Sequence, residues 1–262
     1  MVCVYDSGVG GLSVLSAIRR VAPQCDIVYL GDTAHVPYGT RSHAAITDLA
    51  RLALDYLAVL SPTLVLVACG TVSTVSLPRL TSRYRFPAVG VAEAGVRAAL
   101  RASPHRRIAV LGTEATIDSG YFPDRILQKA PGANVQSLAC PLFVALAECG
   151  LTAADDPIPR LAAERLLAPL TGMNAEAVVL GCTHFAWLLP HIARALPGAT
   201  PVDCGTAAVQ ELASLLCREA GTGRTDFLVT DNPEGFSRTA ARVLGGPLAA
   251  APRRVSLLRR QE

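Results

Sequence analysis

Lysine is almost absent from this chain of 262 residues. Lys129 is the only one, and every other basic residue among the 24 is an arginine. Lys129 precedes Pro131 and Gly132, a pair typical of a helix end, so its side chain is expected to be solvated there. An enzyme that uses pyridoxal phosphate needs a lysine for its Schiff base. The sequence therefore argues against that class and predicts no organic cofactor.

The chain also lacks any Cys-x-x-Cys pair, although it has eight cysteines. Their spacing argues against structural zinc and against the disulfide framework of a secreted protein. We expect most of them to be small core residues of a cytoplasmic protein that holds no metal.

The sequence predicts no signal peptide, and it has no apolar run of about 20 residues, so no membrane partner is expected. The small excess of positive charge resides in Arg253, Arg254, Arg259 and Arg260, which outnumber Glu262 in the last twelve residues. The rest of the chain is neutral and offers no broad field for nucleic acid. The arginine-rich end is predicted to be a frayed terminus, with a partner-binding arm as the alternative.

What the chain does have is the alternation of an α/β protein. It is 51% hydrophobic and 17% charged, as globular proteins are. Short apolar runs followed by turn residues predict strands, and helical patterns fill the gaps between them, which favours parallel sheets. The predicted strands are residues 2–5, 26–30, 64–68, 88–91, 108–111, 135–138, 177–180 and 200–203.

Two segments resemble each other and predict two similar lobes. Leu64–Thr71 and Ala177–His184 are both apolar strands that end in a cysteine with a threonine after it. We assign residues 1–95 plus 206–262 to the first lobe and residues 96–205 to the second. Residues beyond about 205 are predicted to add helices, without further strands, to the first lobe. Each lobe is expected to be a mainly parallel sheet flanked by helices, with the ligand in the cleft between lobes.

A glycine-rich turn follows the first predicted strand, at Asp6-Ser7-Gly8-Val9-Gly10-Gly11. A dinucleotide fingerprint is one interpretation, because Asp32 ends the second strand about 20 residues on. Ser13 matches that fingerprint only loosely, and Asp6 would repel a pyrophosphate. We therefore expect this turn to bind another ligand.

Cys69 and Cys182 each follow a strand and begin a turn into a helix, where backbone N–H groups favour a thiolate and lower the thiol pKa. His184 can exchange a proton beside Cys182, and Asp6 can do the same for Cys69. A single strand-end cysteine is usually core packing. Two at equivalent places in similar lobes would instead put one thiol on each side of a ligand.

Opposed thiols fit one kind of reaction. Inversion of an α-carbon needs a base on one face and an acid on the other, whereas acyl transfer needs one nucleophile with asymmetric support. The pattern therefore predicts an enzyme that inverts an amino-acid α-carbon.

At these residues the chain resembles the glutamate racemase family, within the wider aspartate/glutamate racemase group. The resemblance runs from Tyr5 to about Ala208. It implies cofactor-independent interconversion of L- and D-glutamate, which supplies D-glutamate for peptidoglycan in the bacterial cytoplasm, and it is compatible with a homodimer. The motifs that carry it are Asp6–Ser13, Gly31–Ala34, Pro37–Gly39, Val67–Cys69, Gly112–Thr116, Cys140–Val144 and Gly181–His184.

By this resemblance Cys69 and Cys182 are the catalytic thiols. Asp6 would assist the first, and Glu148 and His184 the second. Without it, these polar residues could equally be helix caps, turns or solvated side chains. The substrate-binding residues it implies are Asp6, Ser7, Pro37, Tyr38, Gly39, Gly70, Thr71, Thr113, Thr116, Thr183 and His184.

Three positions depart from the family pattern. Gly70 stands where an asparagine is usual, so a hydrogen bond to the substrate worth roughly 1.5–3 kcal/mol is expected to be missing. Ala94 replaces a proline after Glu93, and Cys149 replaces an acid after Glu148. Two alternatives follow from this altered substrate site. One is a racemase for another amino acid, and the other is a ligand- or partner-binding relative with little catalysis.

Overall fold

The computed structural model describes residues 1–219 and 221–257. In these residues the strands are β1 (Val2–Asp6), β2 (Ile27–Gly31), β3 (Leu64–Val67), β4 (Ala88–Gly90), β5 (Arg107–Gly112), β6 (Asn134–Ala139), β7 (Ala177–Leu180), β8 (Thr200–Asp203), β9 (Thr225–Val229) and β10 (Arg253–Arg254).

Helices connect the strands. They are α1 (Leu12–Val21), α2 (His43–Ala58), α3 (Gly70–Val75), α4 (Leu77–Leu80), α5 (Val91–Ala102), α6 (Glu114–Asp118), α7 (Tyr121–Lys129), α8 (Pro141–Glu148), α9 (Pro157–Leu167), α10 (Leu189–Ala195), α11 (Cys204–Glu211), α12 (Ala213–Arg218) and α13 (Pro233–Leu244). Short 3-10 turns cover Thr33–His35, Thr81–Arg83, Ala168–Met173 and Thr183–Leu188.

The strands form two parallel sheets. One has the order β10-β9-β2-β1-β3-β4 and the other β6-β5-β7-β8. Every pairing is parallel. The central strands β1, β3, β5 and β7 are almost completely buried, which explains their continuous apolar sequences. The predicted α/β class, with two parallel sheets flanked by helices, is confirmed.

The C-terminal part differs from the prediction. Strand β9 pairs with β2, and β10 pairs with β9, so the first sheet gains two strands from residues beyond 205. The prediction that residues beyond 205 add only helices was wrong. Strand β9 begins with the polar residues Thr225 and Asp226, so the sequence pattern did not reveal a strand there. Arg253 and Arg254 are likewise paired in β10 instead of frayed, while Arg259, Arg260 and Glu262 lie outside the described residues.

One apolar cluster joins the two sheets. It contains Val4 and Leu66 from the first sheet and Val110 and Val179 from the second, all fully buried. Helix α5 crosses from one sheet to the other and packs against α11 as well as β7. The two sheets therefore share a core, and the cleft between them is closed on that side.

Lys129 ends α7, as predicted, but it is not simply solvated. Its Nζ lies 3.1 Å from Glu93 Oε1, and its side chain is 36% exposed. Among the helices of the described residues, none is both long and apolar enough to cross a bilayer.

Candidate active site

The site is a cavity of about 300 Å³ at the carboxyl ends of β1, β3, β5 and β7. Because parallel strands carry their following loops at one edge, both sheets bring polar turns to this point. Both Cys69 and Cys182 line it, one from each sheet. The lining residues are Ser7, Gly8, Val36, Pro37, Tyr38, Gly39, Thr40, Cys69, Gly70, Thr71, Thr113, Glu114, Pro141, Val144, Ala145, Glu148, Cys182, Thr183 and His184.

Nearly all residues singled out in the sequence come together here. Two are set apart: Asp6 and Thr116 are buried and do not line the cavity. Thr116 Oγ1 lies 2.9 Å from Thr113 Oγ1, which lies 3.0 Å from Thr71 Oγ1. These three hydroxyls link α3, which follows β3 of the first sheet, to α6, which follows β5 of the second sheet. The link lies beside the cavity.

The Cys182 side carries a chain of proton-bearing groups. Cys182 Sγ lies 3.6 Å from His184 Nδ1, and His184 Nε2 lies 2.9 Å from Glu148 Oε1. Burial alone would lower the pKa of His184. The hydrogen bonds to Cys182 and Glu148 outweigh burial and raise that pKa to about 10. An imidazolium at this place can compensate negative charge that develops in the cavity.

The Cys69 side is different. Cys69 Sγ lies 3.5 Å from Ser7 Oγ. Burial, with the negative charge of Asp6, raises the pKa of Cys69 to about 12 in spite of the hydrogen bond from Ser7. The expectation that the helix N-terminus lowers this pKa was therefore wrong, because desolvation exceeds the effect of a six-residue helix.

Asp6 lies at the end of β1 and is fully buried. Its Oδ2 accepts a hydrogen bond of 2.9 Å from Gly8 N, whereas Oδ1 has no hydrogen-bond partner in the described part of the chain. Burial raises the pKa of Asp6, opposed chiefly by the positive charge of His184. Asp6 is thus a buried carboxyl group with unused hydrogen-bonding capacity, next in sequence to Ser7.

A second polar network fixes the segment Pro37–Gly39, which forms one wall of the cavity. Tyr38 OH donates to Asp32 Oδ2 at 2.5 Å and lies 3.1 Å from Tyr5 OH. Asp32 Oδ1 also accepts from Thr230 Oγ1, just after β9, at 2.7 Å. The Tyr38 side chain is therefore almost completely buried, with its hydroxyl held in this network. The sequence placed Asp32 in the Gly31–Ala34 motif without giving it this role, and it missed Thr230; neither residue lines the cavity.

Gly70 does not leave the gap that the sequence suggested. A Cβ built on Gly70 would overlap the carbonyl oxygen of Gly181 from the other sheet. The space that a side chain would fill is thus occupied by backbone.

The apolar part of the rim was also missed. Val36, Pro141, Val144 and Ala145 line the cavity, and Val36 is 43% exposed. The sequence offered a signal only in the Cys140–Val144 motif, since apolar residues on a short helix resemble core residues. Within residues 1–219 and 221–257, no cluster of His, Cys, Asp and Glu side chains is arranged to hold a metal ion.

Two thiols, one from each sheet, thus line a single cavity at the sheet edge. Comparison with known proteins identifies the class of enzyme. Residues 12–212 match the family model described as Asp/Glu/Hydantoin racemase. The chain therefore belongs to the Asp/Glu/hydantoin racemase family and is an isomerase.

Within this family the chain is similar to glutamate racemases. It is 39% identical over 242 residues to the glutamate racemase of Aquifex aeolicus, covering 92% of this chain and 93% of that protein. It is 40% identical over 259 residues to a glutamate racemase of Thermus thermophilus, covering 97% of this chain and 95% of that protein.

Solved structures agree with the sequence comparison. The crystal structure of the Thermus thermophilus glutamate racemase in complex with β-chloro-D-alanine superposes with a TM-score of 0.87, at 39% identity over 98% of this chain and 96% of that one. The Francisella tularensis glutamate racemase in complex with D-glutamate gives a TM-score of 0.89, at 30% identity over 98% and 97%. The two-sheet architecture is therefore that of the glutamate racemases.

Proposed function

We propose that this isomerase interconverts L- and D-glutamate without a cofactor, using Cys69 and Cys182 as its two acid–base groups. The observation that carries the proposal is that both thiols line one cavity from opposite sheets. The similarity to glutamate racemases supports glutamate as the substrate. The product D-glutamate would then serve peptidoglycan synthesis in the cytoplasm. The lobe boundaries near residues 95 and 205 remain part of this proposal.

The two sulfur atoms have different surroundings. Burial and the negative charge of Asp6 raise the pKa of Cys69 to about 12, so Cys69 rests as a thiol. Cys182 Sγ lies 3.6 Å from His184 Nδ1, beside a group that can compensate negative charge. In one direction the Cys182 thiolate removes the α-proton from the face turned toward it. The Cys69 thiol then delivers its own proton to the opposite face, which leaves a thiol at Cys182 and a thiolate at Cys69.

The ionisable side chains next to the two thiols support these proton transfers. Glu148 holds His184 in place and keeps it charged, so that His184 compensates the thiolate at Cys182. When Cys69 becomes the thiolate, its negative charge adjoins Asp6, which is already hard to ionise because it is buried. Asp6 in its protonated form would lessen the repulsion and help Cys69 to regain a proton.

Neutral donors are available for the substrate's carboxylates. The cavity lining includes no lysine or arginine among the described residues. The hydroxyls of Ser7, Thr71, Thr113 and Thr183, together with the main chain at Tyr38 and Gly39, offer donors and acceptors instead. Hydrogen bonds of this kind orient a small zwitterion in the cavity.

The test compares wild type with Cys69→Ser and Cys182→Ser, starting from each pure glutamate enantiomer with no added cofactor. Each substitution should reduce racemisation in both directions by at least about a hundredfold, because proton removal and proton delivery need different thiols. Cys149→Ser is the matched control, since Cys149 is exposed and does not line the cavity. Near-wild-type turnover by Cys69→Ser or Cys182→Ser would contradict the mechanism.

The same assay separates the alternatives. Wild-type turnover of another amino acid in preference to glutamate would indicate a racemase of different specificity. Thermal stabilisation by glutamate without racemisation would indicate a binding protein.

A further inference from the structure

Only the first part of the glycine-rich turn after β1 contributes to the cavity. Gly8 lines it, whereas Gly10 and Gly11 are buried and do not. Gly11 packs within the first sheet, where a Cβ would lie 2.7 Å from Asp6 Cβ and 2.9 Å from the Tyr29 hydroxyl. Gly10 contacts the other sheet instead, and substrate binding does not account for it.

Gly10 lies against the turn that follows Cys182. A Cβ built on Gly10 would overlap Thr183 Oγ1 and would lie 2.7 Å from Cε1 and 2.8 Å from Nδ1 of His184. Gly10 does not have a positive φ, so its backbone conformation does not itself call for glycine. The requirement for glycine at this position is therefore a requirement for space.

Ser13 in α1 ties the two turns together. Its Oγ lies 3.0 Å from the Gly10 carbonyl oxygen and 3.3 Å from the Thr183 carbonyl oxygen, within hydrogen-bond distance of both. Ser13 N also donates to the Gly10 carbonyl at 3.1 Å. A side chain at position 10 would therefore have to break this bridge or displace the His184 ring.

The ring is enclosed on its other sides as well. Its Nδ1 lies 3.6 Å from Cys182 Sγ, and its Nε2 lies 2.9 Å from Glu148 Oε1. Trp187 packs against it at nearly a right angle, with the ring centroids 5.7 Å apart. The His184 ring cannot move away from Gly10 without changing its distance to one of these partners.

We propose that Gly10 is a positioning residue for His184, because the absence of a side chain lets the imidazole lie within reach of both Cys182 and Glu148. The first sheet thereby takes part in the Cys182 half of the site, although these three side chains follow strands of the second sheet. This inference rests on the proposed racemase function, in which His184 assists Cys182.

A double-variant experiment tests whether a side chain at position 10 acts through His184. Racemisation of both glutamate enantiomers is measured for Gly10→Ala in wild type and in the His184→Asn and Thr183→Ser backgrounds. In wild type we expect kcat to fall at least about tenfold with a smaller change in KM, because a displaced acid–base partner slows proton transfer more than it weakens binding. Gly172→Ala is the control, since a Cβ there meets nothing within 4 Å.

The two backgrounds should respond differently. In His184→Asn the further loss of kcat should be less than about threefold, because the ring that Gly10→Ala displaces is gone. In Thr183→Ser, whose hydroxyl can turn away from the new Cβ, the loss should equal that in wild type, because the ring still lies 2.7 Å away. A full loss in the His184→Asn background, or recovery of kcat in the Thr183→Ser background, would overturn the inference.

A second measurement uses wild type alone and does not depend on the folding of a variant. The NMR spectrum of substrate-free protein should show a nuclear Overhauser effect between a Gly10 Hα and the proton on His184 Cε1, because one Hα occupies the direction of the absent Cβ. With both signals assigned, absence of this effect would overturn the positioning role. If the effect is present but wild type does not racemise glutamate, the proposed function fails while the contact stands.

Discussion

Two cysteines in similar positions are surrounded by different ionisable side chains. Cys182 adjoins a buried imidazolium that Glu148 holds from behind. Cys69 adjoins a hydroxyl and a buried carboxyl group, and its pKa rises to about 12. The sequence predicted both thiols correctly as strand-end residues of one cavity. It could not predict their difference, because burial depends on the whole fold and not on the neighbouring sequence.

His184 should make stability depend on pH. Its pKa rises from 6.5 in the unfolded chain to about 10 in the folded protein, so the folded state holds the proton more tightly. The resulting stabilisation is complete below pH 6.5 and is lost as the pH rises through 10. We expect the free energy of unfolding of wild type, relative to His184→Asn, to fall by at least about 1 kcal/mol over this range, roughly the equivalent of one pKa unit.

Urea denaturation at several pH values between 6 and 10 measures this difference. Glu148→Gln should show a smaller decline than wild type, because one of the two hydrogen bonds that favour the imidazolium becomes neutral. Parallel pH dependence in wild type and His184→Asn would show that folding does not raise the pKa of His184.

Helix α5 connects the two sheets, and Glu93 in its first turn is the centre of the polar contacts around it. The carboxylate accepts from Arg97 in α5 and from Tyr121, Arg125 and Lys129 in α7, at 3.0–3.3 Å. Arg97 in turn pairs with Glu211 in α11. Burial alone would raise the pKa of Glu93, but hydrogen bonds from Arg125, Lys129 and Tyr121 lower it.

Replacing Glu93 by glutamine should lower the free energy of unfolding at pH 7 by about 1 kcal/mol, because its cationic partners are more than a third exposed and water screens each pair. The lowered pKa makes the contribution complete above pH 4.5, and it disappears as the pH falls through the folded-state pKa. Glu164→Gln is the control, since Glu164 pairs with Arg160 on its own helix and is 44% exposed. Equal losses in the two variants, measured by urea denaturation, would contradict a special role for Glu93.

The sequence predicted elements well where local patterns were strong. Strands β3, β7 and β8 lie within one residue of the predicted ranges because each is a short run bounded by turn residues. Strand β9 was missed because its position depends on pairing with β2, almost two hundred residues earlier in the chain. The contact between Gly70 and Gly181 was missed for the same reason, since only the packed sheets bring these glycines together.

The molecule as a whole is less divided than its repeated sequence suggests. Two similar strand–cysteine segments predicted two lobes, and the sheets do separate into six and four strands. Yet Val4, Leu66, Val110 and Val179 belong to one buried cluster that extends through both. The repeated segments in this sequence indicated the number of sheets. The extent of apolar contact between the two sheets decides whether each can unfold independently of the other.

That shared interior has a consequence for how the protein comes apart. If the two sheets touched only through a polar cleft, each would unfold in its own step. Here the unfolding of either sheet alone would expose buried valines of the other sheet to water, which is unfavourable. We expect a single calorimetric transition with equal van't Hoff and calorimetric enthalpies. Amides in β1 and β5 should then share one opening free energy in native-state hydrogen exchange. Two resolved transitions, or clearly different protection of these strands, would show that the halves are separate cooperative units.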